Sequence, residues 1–89
     1  MSQHISVIIP FSRPDRWPSL YKQLTEITYP RTDFEVIIVL NAVYDWHPPV
    51  KTLKNIKIVA EHRQGPSYAR NTGIRVAKFS HQVFLHDAC

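Results

Sequence analysis

The sequence has little glycine and almost no cysteine, and both shortages narrow its possible functions. Its 89 residues include two glycines, Gly65 and Gly73, and neither lies directly after the first apolar run of the chain, which ends at Pro10. A glycine-rich dinucleotide fingerprint and a GxxxxGK phosphate loop are therefore both excluded. Paired cysteines and an HExxH run, which are typical of zinc sites, are also missing. The single cysteine, Cys89, cannot form an internal disulfide, which favours a reducing compartment.

Long apolar runs are missing as well. No run approaches the roughly 20 residues that span a bilayer, and residues 1–4 lead into the first apolar run without room for a signal peptide. We therefore expect a cytoplasmic protein, with peripheral attachment to the membrane left open for a longer form. The net charge of +4 and the pI of about 9.5 suit an anionic ligand. Because the lysines and arginines are dispersed and no aromatic ladder is evident, we expect no nucleic-acid partner.

Four short apolar segments predict strands. The first, Ile5–Pro10, is an almost continuous apolar run that stops at a proline, which has no N–H to give to a neighbouring strand. Such runs are typical of strands buried on both faces of a parallel sheet. The other three strands are predicted over Phe34–Leu40, Ile56–Ala60 and Gln82–His86.

Two helices are predicted between these strands. The first should begin near Pro18, after a turn opened by Pro14, because two prolines four residues apart cannot both lie inside a regular helix. The second should begin at Gly65 or Ser67, either of which can cap it, and run to about Phe79.

The order β-α-β-β-α-β predicts an α/β fold with an open, mostly parallel sheet and right-handed crossovers. We expect the strand order 3-2-1-4 of a Rossmann-like half domain. Small residues at Ala69, Gly73 and Ala77 predict that the second helix packs closely on this sheet. In open α/β sheets, ligands bind beyond the carboxyl ends of the strands. The expected site therefore lies past strands one and four, between Pro10 and Asp87.

Two charged residues fall at that end of the predicted sheet. Asp87 follows the fourth strand, where a carboxylate could hold Mg²⁺ or Mn²⁺ against a diphosphate, because hard cations take oxygen ligands. Arg70 lies on the first turns of the second helix, where the helix N-terminus and a guanidinium would both attract an anion. The structural alternatives are a solvated strand-end carboxylate for Asp87 and an ion pair with Glu61 for Arg70.

Four stretches together resemble family 2 glycosyltransferases in content and order. They are Ile-Ser-Val-Ile-Ile-Pro-Phe at the start, Tyr-Pro with Phe-Glu-Val-Ile-Ile-Val at 29–39, Gly-Pro-Ser-Tyr-Ala-Arg-Asn-Thr-Gly-Ile at 65–74 and Val-Phe-Leu-His-Asp-Ala-Cys at 83–89. The resemblance covers nearly the whole chain, but only the nucleotide-sugar-binding half of that family's domain. It implies the GT-A fold, a nucleotide-diphosphate sugar as donor, usually a divalent metal, and inversion of the anomeric centre.

The resemblance also assigns site residues. Pro10, Phe11 and Ser12 match the loop that borders the nucleotide. Arg70 matches the arginine of the family's Ala-Arg-Asn stretch. Asn41 matches the second acidic residue of an Asp-Asp pair that contacts the base, and an asparagine amide can still hydrogen-bond a base edge.

Two motifs depart from the family's pattern. Leu40 and Asn41 replace both acids of the pair. In the family's Asp-x-Asp metal motif, His86 and Ala88 replace the outer acids and leave Asp87 alone. We therefore expect Asp87 to be the metal ligand, and Mg²⁺ or Mn²⁺ to be a weakly held cofactor.

Residues 1–89 are interpreted as a single domain, the donor nucleotide-binding half of a longer glycosyltransferase that transfers sugar to an acceptor hydroxyl. The catalytic base is expected beyond Cys89, so the isolated chain is expected to be inactive. The alternative is a non-catalytic nucleotide- or glycan-binding module of the same fold, and the acceptor is left open between glycan and lipid. Nothing in Gln82–Leu85 blocks pairing with a further strand, so we also expect a homodimer through the edge of strand four.

Overall fold

The computed structural model describes residues 4–26, 33–43, 46 and 55–85. This part of the chain holds strands, two α-helices and a short 3-10 helix. In chain order the elements are β1 (Ile5–Phe11), the 3-10 helix (Pro14–Arg16), α1 (Trp17–Thr25), β2 (Phe34–Asn41), β3 (Ile56–Glu61), α2 (Pro66–Val76) and β4 (His81–Phe84). None of the helices in these ranges is both long and apolar enough to cross a membrane.

The strands form one parallel sheet in the order β3-β2-β1-β4, which confirms the predicted fold class and strand order. β1 lies in the middle, with Ile9 opposite Ile38 of β2 and Val7 opposite Val83 of β4. β3 lies at one edge, as its weaker apolar pattern predicted. Because all the strands run in the same direction, their carboxyl ends meet along one side of the sheet.

β2 is buried along its whole length, which is why its sequence is apolar at every position except Glu35 and Asn41 and does not alternate. On one face of the sheet, Ile38 belongs to a cluster with Trp17 of α1. On the other face, Ile37 belongs to a second cluster with Ala69 of α2. The two helices therefore cover opposite faces and leave the strand ends accessible between them.

The start of α1 confirms the prediction from the two prolines. The 3-10 helix begins at Pro14, and α1 begins at Trp17 with Pro18 in its first turn. A proline in the first turn costs little, because the N–H that it lacks would have no partner within the helix.

α2 ends at Val76, so the prediction that it continues to Phe79 is wrong. The reason is a pair of tertiary hydrogen bonds that draw the backbone out of the helix. The N–H of Lys78 donates to Glu35 Oε2 at 2.5 Å, and the N–H of Phe79 donates to Ser6 Oγ at 3.1 Å. Both acceptors are buried side chains, Ser6 of β1 and Glu35 of β2. Nothing in the sequence around them indicates that they bind the end of a distant helix.

The Glu35 carboxylate is the centre of this network. The Ser6 hydroxyl donates to Oε2 at 2.6 Å, and Lys57 Nζ lies 3.1 Å from Oε1. Burial raises the pKa of Glu35, but the hydrogen bonds from Ser6 and Lys78, together with the Lys57 ammonium, outweigh burial and hold the pKa below its ordinary value. The network joins the starts of β1 and β2, so it fixes the α2–β4 connection at the amino end of the sheet.

The strand bounds differ from those predicted by one or two residues, and β2 and β3 each run one residue further, to Asn41 and Glu61. β1 continues past Pro10 to Phe11, because losing one N–H removes a single ladder bond and the strand can pair again at the next residue. β4 begins earlier than predicted, and Leu85 follows it with an N–H that donates to the Ile8 carbonyl at 3.0 Å. His86, predicted as the last residue of this strand, lies outside the described residues.

The small-residue stripe of α2 packs on β1. Ala69 and Gly73 are both buried, and a methyl group built on Gly73 would overlap the side chain of Ile8. The close approach of α2 to β1 therefore explains why residue 73 is a glycine. Ala77, the third member of the predicted stripe, follows the end of the helix.

Candidate functional site

A cleft opens at the carboxyl ends of β1 and β2, beside the start of α2 and the end of β4. Its volume is about 330 Å³. It is lined by Pro10, Phe11, Ser12, Asn41, Pro66, Arg70, Phe84 and Leu85. In open α/β sheets, ligands bind on this side. They bind at the point where the connections from two neighbouring strands go to opposite faces of the sheet.

Each of the residues that the resemblance assigned to the nucleotide lines this cleft. They are Pro10, Phe11, Ser12, Asn41 and Arg70. They come from three separate elements and the residue after β1, and the strand order brings them together. Asp87, the predicted metal ligand, lies outside the described residues.

Phe11 gives the cleft a rigid floor. It is fully buried, and its ring centroid lies 6.0 Å from that of Trp17 and 5.7 Å from that of Trp46. Aromatic rings at such distances attract each other in tilted and edge-to-face arrangements. Ser12, the next residue, is exposed at the mouth of the cleft. The end of β1 therefore presents a polar rim on a packed aromatic base.

Arg70 supplies positive charge to the cleft. Its guanidinium carbon lies 6.0 Å from the centroid of the Phe84 ring, which lines the same cleft. Within the described residues Arg70 forms no ion pair. The alternative that it pairs with Glu61 is wrong, because that carboxylate is paired with Arg63 at 3.0 Å. The guanidinium of Arg70 is therefore available to an anion in the cleft.

The N-terminus of α2 adds a second positive contribution. Gly65 is the N-cap, with φ 132° and ψ 144°, a conformation that glycine adopts without a steric cost. No side chain caps the first turn, which begins at Pro66 in the wall of the cleft. The partial positive charge of a helix N-terminus favours anions. Together with Arg70, it suits a phosphate or another small anionic group.

The side chain of Asn41 is occupied by the loop that leads into α2. Its amide Nδ2 donates to the carbonyl of Glu61 at 3.2 Å and to that of Arg63 at 2.7 Å. Its Oδ1 accepts a hydrogen bond from the N–H of Gly65 at 3.1 Å. Asn41 lines the cleft, but both of its N–H groups bond to backbone carbonyls.

Glu61 also lies in this region, and its sequence position predicted only a possible ion pair with Arg70. It ends β3 beside Asn41, and its side chain is nearly fully buried. Its carboxylate accepts hydrogen bonds from the Arg63 guanidinium at 3.0 and 3.1 Å, from the Thr72 hydroxyl at 2.5 Å and from the Arg63 N–H at 2.8 Å. These bonds lower the pKa of Glu61 to about 2. An acid at the carboxyl end of a predicted strand was the signal that could have identified it.

The described residues contain no group of three or more histidine, cysteine or acidic side chains that could hold a metal ion. The predicted metal motif, His86, Asp87 and Ala88, falls outside the described ranges. The described lining of the cleft likewise carries neither a carboxylate nor an imidazole. This part of the cleft can therefore bind and orient an anionic ligand beside apolar and aromatic walls.

Two comparisons with known proteins bear on this chain, and no family model matches it. It is 32% identical over 92 residues to glycosyltransferase AglE of Haloferax volcanii, an alignment that covers 96% of the chain and 30% of AglE. The crystal structure of S. aureus TarS 1–349 superposes with a TM-score of 0.71 at 23% identity, covering 96% of this chain and 27% of TarS. The TarS comparison supports the fold alone.

The chain thus spans less than a third of either protein. The alignment with AglE and the superposition on TarS each extend over nearly all of this chain. Over almost its whole length, this chain is similar to one part of a glycosyltransferase, which confirms the resemblance predicted from its sequence.

Proposed function

We propose that this chain is the nucleotide-sugar-binding part of a family 2-like, inverting glycosyltransferase. The observation that carries the proposal is the convergence of Pro10, Phe11, Ser12, Asn41 and Arg70 on one cleft. These residues were predicted from the sequence, without reference to the structure, and they lie up to sixty positions apart along the chain. A shared cleft at the ligand-binding side of the sheet is what a donor site requires.

The charge of the cleft suits the diphosphate of the donor. Arg70 and the N-terminus of α2 both attract anions, and the walls beside them are apolar or aromatic. Charge-assisted hydrogen bonds from arginine to phosphate are stronger than neutral ones. We assign the diphosphate to the Arg70 side of the cleft and the nucleoside to the side formed by the end of β1.

In the transfer reaction, the acceptor oxygen attacks the anomeric carbon while the bond to the diphosphate oxygen breaks. The diphosphate leaves with the electron pair, and the acceptor hydroxyl loses its proton to a general base. The role of the described residues is to hold the donor and to stabilise the leaving diphosphate. The base is assigned to a segment beyond Cys89, so the isolated chain should bind the donor without transferring the sugar.

We assign a divalent metal to Asp87, on the sequence alone. One carboxylate supplies too few ligands for Mg²⁺ or Mn²⁺, which prefer several oxygens, so most of the ligands would be phosphate oxygens and water. When bound, such an ion would neutralise charge on the leaving diphosphate. Arg70 would perform part of the same task from the described side of the cleft.

Calorimetric titration of the chain with uridine diphosphate and adenosine diphosphate tests the donor site. We expect one of these nucleotides to bind, and Arg70→Gln to weaken binding about tenfold, since hydrogen bonds to charged groups contribute about 1.5–3 kcal/mol. Arg75→Gln is the matched control, because Arg75 lies near the far end of the same helix. Equal losses in both variants, or no binding of either nucleotide to the unmodified chain, would exclude the proposed site.

A further inference from the structure

We propose that Asn41 is a positioning residue that fixes the β3–α2 loop, residues 62–65, and that it does not read the base of the nucleotide. The inference concerns the same cleft and rests on the proposed function. The resemblance places Asn41 where the family has an acid that contacts the base. In this chain the contacts of the side chain point to a different role.

The amide of Asn41 has two N–H donors, and both are used within the chain. They bond to the carbonyls of Glu61 and Arg63 at 3.2 and 2.7 Å. One lone pair of Oδ1 accepts the N–H of Gly65 at 3.1 Å. The partners also fix the orientation of the amide, because two carbonyls face its nitrogen and one N–H faces its oxygen. A base could reach only the remaining lone pair.

The same loop is held from its other side by Glu61. The carboxylate accepts the backbone N–H of Arg63 and two N–H groups of its guanidinium. That guanidinium also lies over the ring of Tyr68, with 4.5 Å between its carbon and the ring centroid. The loop is therefore closed by two neighbouring strand ends, Asn41 of β2 and Glu61 of β3, which pair directly in the sheet.

The loop determines where α2 starts. Its last residue, Gly65, is the N-cap of the helix, and the next residue, Pro66, lines the cleft. Arg70 lies one turn further along the same helix. By holding Gly65, Asn41 sets the position of both positive contributions to the cleft without touching a ligand through its N–H groups.

An aspartate could not replace Asn41 in this role. It could accept the N–H of Gly65, but it has no N–H for the carbonyls of Glu61 and Arg63. Its charge would also lie against two carbonyl oxygens near the Glu61 carboxylate. This explains why the chain has an amide where the family has an acid. It also predicts that restoring the acid damages the cleft.

The test compares Asn41→Asp with Gln64→Glu. Gln64 is an exposed residue of the same loop, so its variant adds the same charge without breaking any of the three bonds. Amide hydrogen exchange, measured without ligand, should be faster at Gly65 in Asn41→Asp than in the unmodified chain or in Gln64→Glu, because the loop then keeps one of its three bonds to position 41 and opens more often. Titration with uridine and adenosine diphosphates at pH 7.5 should show about tenfold weaker binding for Asn41→Asp alone, because the loop loses two of the hydrogen bonds that hold it.

A pH profile separates positioning from general loss of structure. A carboxylate without a cationic partner and near another carboxylate has a raised pKa, and its protonated form regains one O–H donor. The affinity of Asn41→Asp, relative to the unmodified chain at the same pH, should therefore recover as the pH falls from 7.5 to 5.5. Apart from the substituted positions 41 and 64, the charged and titratable groups around the loop are the same in all these proteins, namely Glu61, His62, Arg63, Tyr68 and Arg70.

The opposite result would be unchanged exchange at Gly65, with Asn41→Asp changing the preference between uridine and adenosine diphosphates. Asn41 would then read the base, and the positioning role would be overturned. Failure of the unmodified chain to bind either nucleotide would reject the proposed function. In that case the exchange rates alone decide whether Asn41 holds the loop.

Discussion

At the scale of single residues, Glu61 makes stability depend on pH. Its pKa falls from 4.5 to about 2 on folding, because Arg63 and Thr72 hydrogen-bond its ionised form. A lowered pKa in the folded state means that the carboxylate stabilises the fold above pH 4.5. That stabilisation is lost progressively as the pH falls towards 2.

Urea unfolding of the unmodified chain and of Glu61→Gln, at a series of pH values, measures this contribution. The difference in unfolding free energy should be constant above about pH 5 and should shrink between pH 4.5 and 2. Glu35 also has a lowered pKa, but it is present in both proteins, so its effect cancels. A difference that is the same at pH 2.5 and pH 6 would contradict the assigned hydrogen bonds.

Asp87 carries the prediction about metal. If it is the single protein ligand, Mn²⁺ should bind detectably only together with a nucleoside diphosphate, whose phosphates supply further oxygens. Asp87→Ala should remove the effect of Mn²⁺ on nucleotide affinity, whereas Asp15→Ala, which changes an exposed carboxylate, should not. Paramagnetic broadening by Mn²⁺, with and without the nucleotide, measures metal binding in the unmodified chain and in both variants. Tight Mn²⁺ binding without nucleotide would show that other ligands exist.

Not all of the candidate site could be predicted residue by residue. Motif resemblance and the end of a strand predicted Pro10, Phe11 and Ser12, and motif resemblance and the start of a helix predicted Arg70; all of them line the cleft. The hydrogen bonds of Asn41 could not be predicted, because they depend on how Glu61, Arg63 and Gly65 are placed around the end of β2. Side-chain partners of this kind are set by tertiary geometry, about which a single sequence says little.

At the scale of elements, the contact between α2 and β1 depends on Gly73. A methyl group there would overlap Ile8, so Gly73→Ala should destabilise the fold by about 1–3 kcal/mol, the usual cost of overpacking. Helix propensity alone predicts the opposite sign, since alanine is favoured over glycine by about 1 kcal/mol. Thermal unfolding of Gly73→Ala shows whether the substitution destabilises the fold, as overpacking predicts, or stabilises it, as helix propensity predicts.

A double mutant locates the cause of this effect. Removing the branched side chain with Ile8→Ala should make room for the added methyl group. Gly73→Ala should then cost less in the Ile8→Ala background than in the unmodified chain. Equal costs in both backgrounds would mean that the strain does not come from Ile8.

The elements themselves were largely predictable, because β1 and β2 are almost continuous apolar runs and the prolines mark the start of α1. The end of α2 was not. Nothing in the local sequence after Val76 stops a helix, and the chain leaves it because Glu35 and Ser6 bind the next backbone amides. A buried polar pair on two strands overrides local preference, and its partners lie far away in sequence.

At the scale of the whole molecule, β4 suggests self-association of the 89-residue chain. In the described part of the chain β4 pairs only with β1, and Val83, Phe84 and Leu85 are 38%, 41% and 46% exposed. Apolar strand edges recruit other strands. We propose that two copies pair through β4, and sedimentation across a concentration series should detect the dimer.

Charge should modulate this dimer. Each copy carries a net charge of +4, so raising the salt concentration should strengthen association by screening repulsion. Leu85→Lys should weaken it, while Gln23→Lys, the same charge change on the exposed side of α1, should have a smaller effect. A monomer at high protein and salt concentrations would show that the edge of β4 is protected.

The donor site itself is tested most directly by mapping amide chemical-shift changes during titration with uridine diphosphate. If the cleft binds the nucleotide, shifts should concentrate at Phe11, Ser12 and Arg70, with a dissociation constant of about 1 mM, because an open cleft buries only part of its ligand. Residues of the opposite end of the sheet, such as Lys57 and Lys78, should not respond. Shifts that are absent from the cleft, or that centre on those two lysines, would contradict the proposed function.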